Sequence, residues 1–417
     1  MKTYLCIDLK SFFASVESVE RGLNPMKTNL VVADASRGRG GICLAITPAM
    51  KKLGIKNRCR LYEIPQNVEY IIAKPRMKYY MDYAAHIYSI YLKYISVDDI
   101  YVYSIDECFF DITSYLEMYN KTPKEMAQML MKAVFVETGI SSSAGIGTNL
   151  FLAKVALDVT AKHSEDGIGI LNEQSFKEKI WHHTPITDIW NIGKGTAERL
   201  KKYGIYDLYG VAHFDEKKLY KEFGVNAEFL IDHSKGIEPC TIEEIKNYRA
   251  GSESLSSSQI LFEDYEYENA LLALKEMVDI IVLEMVDQGR LTNSISLGIG
   301  YSGREDKGSG GTRKLDSYTD SALKITEEFV KYFKEKADKT KLIRKLSVGL
   351  NNLSEKQYVN ISIFTDYEAE EKERKKQEAI LQIKKKYGKN AILKGMNLEK
   401  KATAKIRNKL IGGHNGE

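Results

Sequence analysis

The chain has 417 residues, 43% hydrophobic and 28% charged, with 30 Gly and only 7 Pro, which excludes a single small domain, a disordered chain and a collagen-like one. Lys and Arg exceed Asp and Glu by only +4, and residues 366–417 hold 14 basic against 8 acidic side chains, so the rest sums to −2 and bulk charge argues for no polyanion partner. The cysteines Cys6, Cys43, Cys59, Cys108 and Cys240 are scattered and never spaced as CxxC, and no apolar run nears the ~18 residues of a membrane span, so the chain reads as cytoplasmic.

Residues 3–7 read as a strand ending at Asp8, and Phe12, Phe13, Val16 and Val19 then recur at helical spacing. The texture changes over 26–75, where strand-like 29–33 and 41–46 flank a basic glycine turn at 37–41, as in a small inserted module. A helix over 79–94 precedes strands 101–105 and 108–112, joined around Asp106-Glu107 as a hairpin with an acidic tip. A helix over 126–136, a strand over 141–147 and a helix over 149–159 complete a split βαβ sheet with its acids at one edge. Residues 185–236 read as all-helical and 237–251 as an aperiodic linker. Helices 271–286 and 323–333 then alternate with strands 294–301, 313–315 and 345–350 as a second α/β domain, with 303–311 mobile by composition.

Asp8 ends a strand, and Asp106 and Glu107 sit at a turn, where adjacent side chains need not diverge to opposite faces. Gathered together, three carboxylates would repel one another unless cations sat between them, and hard oxygen ligands select Mg2+ or Mn2+. Two such ions clamp the attacking and leaving oxygens of an in-line phosphoryl substitution. Spacing alone leaves the alternative that Asp8 caps a helix and Asp106-Glu107 is a solvated turn.

The residues at 7–17 (IDLKSFFASVE) and 103–113 (YSIDECFFDIT) resemble the paired signature of Y-family translesion DNA polymerases, in particular the UmuC-like branch (impB/mucB/samB type). The similarity continues through Ala144-Gly145-Ile146-Gly147 and Leu152-Ala153-Lys154-Val155-Ala156 and, more weakly, to about residue 365. It implies an α+β multidomain right-hand polymerase with a palm (1–25 and 76–168), fingers (26–75), a helix-hairpin-helix thumb (169–236), a linker (237–251) and a little finger (252–358). A clamp-binding peptide (359–365) and a basic tail (366–417) would follow.

By the same resemblance Asp8, Asp106 and Glu107 are the catalytic and metal-holding residues for two Mg2+ ions, Mn2+ substituting. Phe13 is the steric gate against a 2′-hydroxyl, with Phe12 beside it as packing. Lys51 and Lys162 are the triphosphate contacts, although Pro48 and Lys51 stand where many members carry a Tyr and an Arg, and an ammonium lacks the guanidinium fork. Gly193, Lys194 and Gly195 form a hairpin that meets the DNA backbone through helix N–H groups.

The balance over 236–365 is 17 basic against 21 acidic residues. DNA contacts there are therefore expected from strand-borne Arg313, Lys314, Arg344 and Lys345, with the acids on outer helices. Asn360, Ile361, Ile363 and Phe364 resemble a sliding-clamp peptide with Asn for the usual Gln, a terminal strand being the rival. The tail, with Ala379, Ile380 and Ile383 at helical spacing, weakly resembles the family's C-terminal segment or is a solvated helix.

The implied activity is template-directed, error-prone synthesis opposite damaged DNA in the SOS response, with primer-template DNA and dNTP as partners and an accessory subunit of the UmuD type left open. A metal-dependent nucleotidyl cyclase or nuclease and a non-catalytic DNA scaffold at the clamp are the alternatives.

Overall fold

The run Tyr4–Leu9 (β1), apolar except at Asp8, is the central strand of a five-stranded sheet. The computed structural model describes residues 2–251, 253–303, 305–355 and 367–416. The chain divides into two units, residues 1–248 with 416–417, and residues 249–415.

In the first unit β1 leads into α1 (Phe12–Val19), and an inserted stretch supplies β2 (Leu30–Val32), β3 (Ala45–Ile46), α2 (Pro48–Lys52) and β4 (Ile71–Ala73). Then come α3 (Met77–Tyr91), the hairpin β5 (Ile100–Val102) and β6 (Glu107–Asp111), α4 (Thr113–Met118), α5 (Pro123–Thr138), β7 (Ser142–Gly147), α6 (Leu150–Val155) and β8 (Ile168–Leu171). The sheet order is β5-β6-β1-β7-β8, antiparallel except for the β7–β8 pair. Strand alternation sorts β1 into two faces. Leu5, Ile7 and Leu9 pack with α1, α3 and α5 in the main core, while Tyr4 and Cys6 pack with Phe109 beneath α6.

α5 begins earlier than its apolar pattern predicts because Thr122 and Glu125 form a capping box with Pro123 in the first turn. α6 lies directly on β7. A Cβ on Gly145 would run into the backbone of Ala153 and Leu157, and one on Gly147 into that of Ala153, so the Ala-Gly-Ile-Gly strand is what admits the helix. α6 continues as a π-helical turn over Ala156–Thr160 and a 3₁₀ turn over Ala161–His163.

The inserted module is a three-stranded sheet in which β2 pairs with β3 antiparallel and β4 parallel. β4 went unread because a three-residue strand shows no period. Pro48 opens α2 in its first turn, where a missing N–H costs nothing.

The helical stretch comprises α7 (Glu173–Lys179), α8 (Lys194–Lys201), α9 (Leu208–Ala212), α10 (Glu216–Phe223) and α11 (Asn226–Ser234), whose Ile189, Ile192, Leu200, Leu208 and Leu219 close a core with Phe151 and Val155 of α6. The expected linker contains α12 (Ile242–Asn247), started by a Thr241–Glu244 capping box, with Ile242 and Ile245 packed beside Tyr4 and Phe109. Part of it therefore belongs to the sheet's covering layer.

The second unit contains β9 (Leu255–Tyr265), α13 (Tyr267–Asp287), β10 (Arg290–Tyr301), β11 (Ser309–Thr319), α14 (Ala322–Lys336), β12 (Ile343–Asn351), β13 (Ser354–Glu355), α15 (Tyr367–Tyr387), α16 (Ala404–Arg407) and the short pair β14 (Leu410–Ile411) and β15 (His414–Asn415). Its antiparallel sheet runs β11-β10-β12-β9, and α13 and α14 cover one face through Leu274, Ile281, Phe329 and Phe333. The serines of β9 hid that strand from the hydrophobic pattern. Residues 309–311, read as mobile from their glycines, lie inside β11.

Glu276 of α13, 1% exposed, accepts hydrogen bonds from Asn397 Nδ2 (2.9 Å), Thr403 N (2.6 Å) and Oγ1 (3.0 Å) and Ala404 N (3.2 Å). Glu373 of α15 caps the start of α14, accepting from Leu323 N at 2.9 Å and Ser321 Oγ at 2.7 Å. The tail is docked on the second unit rather than solvated. The expected clamp peptide, Asn360 to Phe364, lies outside the described residues. Among the described residues no helix is long and apolar enough to cross a membrane.

Candidate active site

The register sets Asp8 on β1 directly opposite Glu107 on β6, so the two share the face beneath α6. Asp106 occupies the last position of the hairpin tip, where its carbonyl accepts from Leu9 N at 2.9 Å and its Oδ1 from Ser104 Oγ at 2.7 Å. Burial, then the charges of Asp106 and Glu107, push Asp8 up to about 7, against the pull of Lys154.

Lys154 is the principal counter-charge. Its Nζ lies 2.8 Å from Glu107 Oε1, 2.9 Å from Oε2 and 3.0 Å from Asp158 Oδ1, and Lys154 and Glu107 are both buried. Burial opposes the ammonium, but Asp158 and Glu107 raise its pKa above the usual lysine value. The buried Cys6 thiol donates to Glu107 Oε1 at 3.0 Å. The three acids are thus neighbours, with Glu107 held by Lys154 and Cys6 and Asp106 by Ser104. Among the described residues no three acidic, His or Cys side chains already converge on one cation position. The donor set nevertheless fits a divalent cation: the oxygens are hard, and the charges of Asp106 and Glu107 add to the burial that raises Asp8.

Lys154, Asp158 and Ser104 had no assigned role in the sequence reading. The signal was present, since a lysine in the apolar run Leu-Ala-Lys-Val-Ala must be buried with a partner, and Asp158 stands four residues on.

Phe13 is on the first turn of α1, half-buried and stacked on Tyr80 of α3 with ring centroids 4.7 Å and planes 19° apart. Phe12 is 2% exposed in the core, as expected of packing. Lys51 ends exposed on α2, but its surroundings strip enough water to lower its pKa; Asp8 and Asp106 pull it back up and Lys162 adds to the lowering. Lys51 therefore lies in the field of Asp8 and Asp106, with the charge of Lys162 also reaching it. Gly193, Lys194 and Gly195 are exposed at the start of α8, where a Cβ on either glycine would meet nothing within 4 Å. The first arm of this hairpin is a single 3₁₀ turn, Ile186–Asp188, rather than a full helix.

The four basic residues of the second unit separate by face. Lys314 and Lys345 are exposed, and Lys345 lies in register with Gly300 and Ile260 on the face opposite the helices, among Ser256, Ser258, Ser296, Ser347 and Gly349. Arg313 is a correction: it pairs in register with the buried Ile295 and therefore points to the helix side. There it meets Glu335, reaches Glu328 at 3.8 Å and stacks over Tyr332 at 4.3 Å. Arg344 is engaged by Asp264 at 3.4 Å.

The sequence family described as impB/mucB/samB matches residues 7–158, and its C-terminal domain matches residues 252–363. The chain belongs to this family, that of the Y-family translesion DNA polymerases. UvrX of Bacillus subtilis (strain 168), a UV-damage repair protein by its name, is 32% identical over 99% of this chain and 97% of its own length. DNA polymerase IV 2 of the same organism is 30% identical over 99% and 98%. A solved Y-family DNA polymerase chimera, Dbh-Dpo4(243-245)-Dbh, superposes with a TM-score of 0.64 at 20% identity, over 85% of this chain and 99% of that one. The expected α+β multidomain polymerase fold is borne out, and the chain is a DNA-directed DNA polymerase that uses divalent metal ions and binds primer-template DNA and dNTP.

Proposed function

We propose that two Mg2+ ions, replaceable by Mn2+, are held by Asp8, Asp106 and Glu107 while a primer is extended past damaged template bases. The observation that carries this is the gathering of three carboxylates at one end of the adjacent strands β1 and β6, with Asp8 raised to about 7 by burial and then by its acidic neighbours. When bound, the ions would activate the primer 3′-hydroxyl and offset charge on the departing pyrophosphate.

The chain's own groups do the rest. Asp8 and Glu107 would be ligands to the ions, and Lys154 orients the Glu107 carboxylate in the site. Lys51 and Lys162 draw the triphosphate toward the acids, and Phe13 turns its ring to the sugar. The backbone N–H groups opening α8 meet a DNA phosphate, a contact that positions without reading sequence. Lys314 and Lys345 act on the open sheet face, whose small serines and glycines let a phosphate backbone come close. Residues 359–365 dock on the sliding clamp, and an accessory subunit of the UmuD type remains a further partner to test.

Primer extension across a defined lesion with Mg2+, with and without clamp, tests the reading. Wild type should extend the primer, and Asp106→Ala should lose about 100-fold or more while staying folded. Unchanged extension by Asp106→Ala, or nucleotide turnover without primer and template, would overturn it.

A further inference from the structure

Glu17 lies one turn beyond Phe13 on α1 and is 0% exposed. A carboxylate there is tolerated only if its lone pairs are used, and four contacts use them. Arg76 binds it as a fork, Nε to Oε1 at 2.9 Å and Nη2 to Oε2 at 3.1 Å. The Tyr80 phenol donates to Oε1 at 2.7 Å, and Arg21 Nη1 donates to Oε2. Two guanidiniums, one just past the end of α1 and one just before α3, hold the carboxylate from two sides, and so fix the phenol it holds.

Tyr80 is itself 0% exposed, and its ring is the surface on which Phe13 stacks. A ring that rejects a hydroxyl by collision discriminates only as well as its backing resists displacement, because a shift well under 1 Å relieves much of a steric clash. The backing here is a buried aromatic ring tied at its far end to a doubly clamped charge.

Resting on the reading of Phe13 as the residue that faces the sugar, we propose that Glu17 is a positioning residue for sugar selection, acting through Tyr80 to set how far the Phe13 ring yields to a 2′-hydroxyl. Arg76 and Arg21 serve it by holding the carboxylate. Removing the Glu17–Tyr80 bond loosens the gate without touching the acidic edge.

The test uses the full chain with Glu17→Gln, which breaks the bidentate pairing, and Tyr80→Phe, which keeps the ring and removes only its hydroxyl, each made alone and with Phe13→Ala. The readout is kcat and KM for a dNTP and for the matching rNTP, with thermal unfolding as the check on folding. The dNTP-to-rNTP preference should fall about tenfold in Glu17→Gln and less in Tyr80→Phe. The change should come mainly from better rNTP use, and neither substitution should add to Phe13→Ala. An unchanged preference in both folded single variants, beside a lowered one in Phe13→Ala, overturns the role of Glu17 and leaves the gate standing; equal losses for both sugars overturn it as well. An unchanged preference in Phe13→Ala overturns the gate itself. Should Glu17→Gln not fold, Tyr80→Phe decides alone, since it leaves the carboxylate with both arginines.

Discussion

Each unit buries glutamate, Glu17 and Glu107 in the first and Glu276 in the second, and the two units satisfy it by different chemistry. In the first, Glu107 meets the Lys154 ammonium and Glu17 meets two guanidiniums and a phenol. In the second, Glu276 meets an amide, a hydroxyl and two backbone N–H groups, all neutral. Cations orient a carboxylate and keep it charged, as residues beside a reaction require. Neutral donors from a distant stretch of chain do something else: they make one buried carboxyl group the fastening point of the C-terminal segment.

The largest effect that sharpens this contrast is expected at Lys154. Lys154→Met leaves Glu107 buried without its partner and should cost about 3–5 kcal/mol. Millimolar Mg2+ should then raise its melting temperature more than that of wild type, because a cation replaces the missing ammonium; equal shifts would mean that Lys154 and the metal do not compete for Glu107. Next is Glu276→Ala, which takes the acceptor from four donor groups and should cost about 2–4 kcal/mol, read in denaturant unfolding. Limited proteolysis should release residues beyond 388 first, while Glu276→Gln, which keeps an acceptor, loses less.

A smaller effect concerns pH. Burial alone would raise Glu17, but hydrogen bonds from Arg76, Arg21 and Tyr80 hold it below the usual carboxylate range. A depressed folded-state pKa contributes stability that is complete above the unfolded value near 4.5 and is lost as pH falls through the folded value. Wild type should thus lose stability below about pH 4.5 more steeply than Glu17→Gln, in acid titrations of the melting temperature. The least change is expected from Lys314→Ala with Lys345→Ala, which should lower primer-template affinity a few-fold and reduce the slope of log K against log salt by about 2. Arg313→Ala, already turned to Glu328 and Glu335, should leave that slope unchanged.

Much of this was legible in the residues. The split sheet, the acidic hairpin and the glycine hairpin of α8 each announce themselves through local spacing, because a strand or a turn writes its period within a few residues. What stayed hidden depends on register or on distant partners. Arg313 and Lys314 are adjacent in sequence, and only the pairing of β11 with β10 decides which of them faces the helices. The tail's apolar positions are too few to show how it attaches, because the attachment lies in Asn397 and Thr403 reaching a glutamate far back in the chain. α12 was overlooked although Thr241 and Glu244 spell its start.

The bare backbone of β7 has a consequence for how a substitution scan of this enzyme would read. Side chains at 145 and 147 would lift α6 off the strand, and Lys154 would travel with it away from Glu107. Both positions should score as intolerant as the acids themselves, though both are buried beneath α6. A map of dead variants would then draw a footprint wider than the chemistry, its extra margin tracing the seat of one helix.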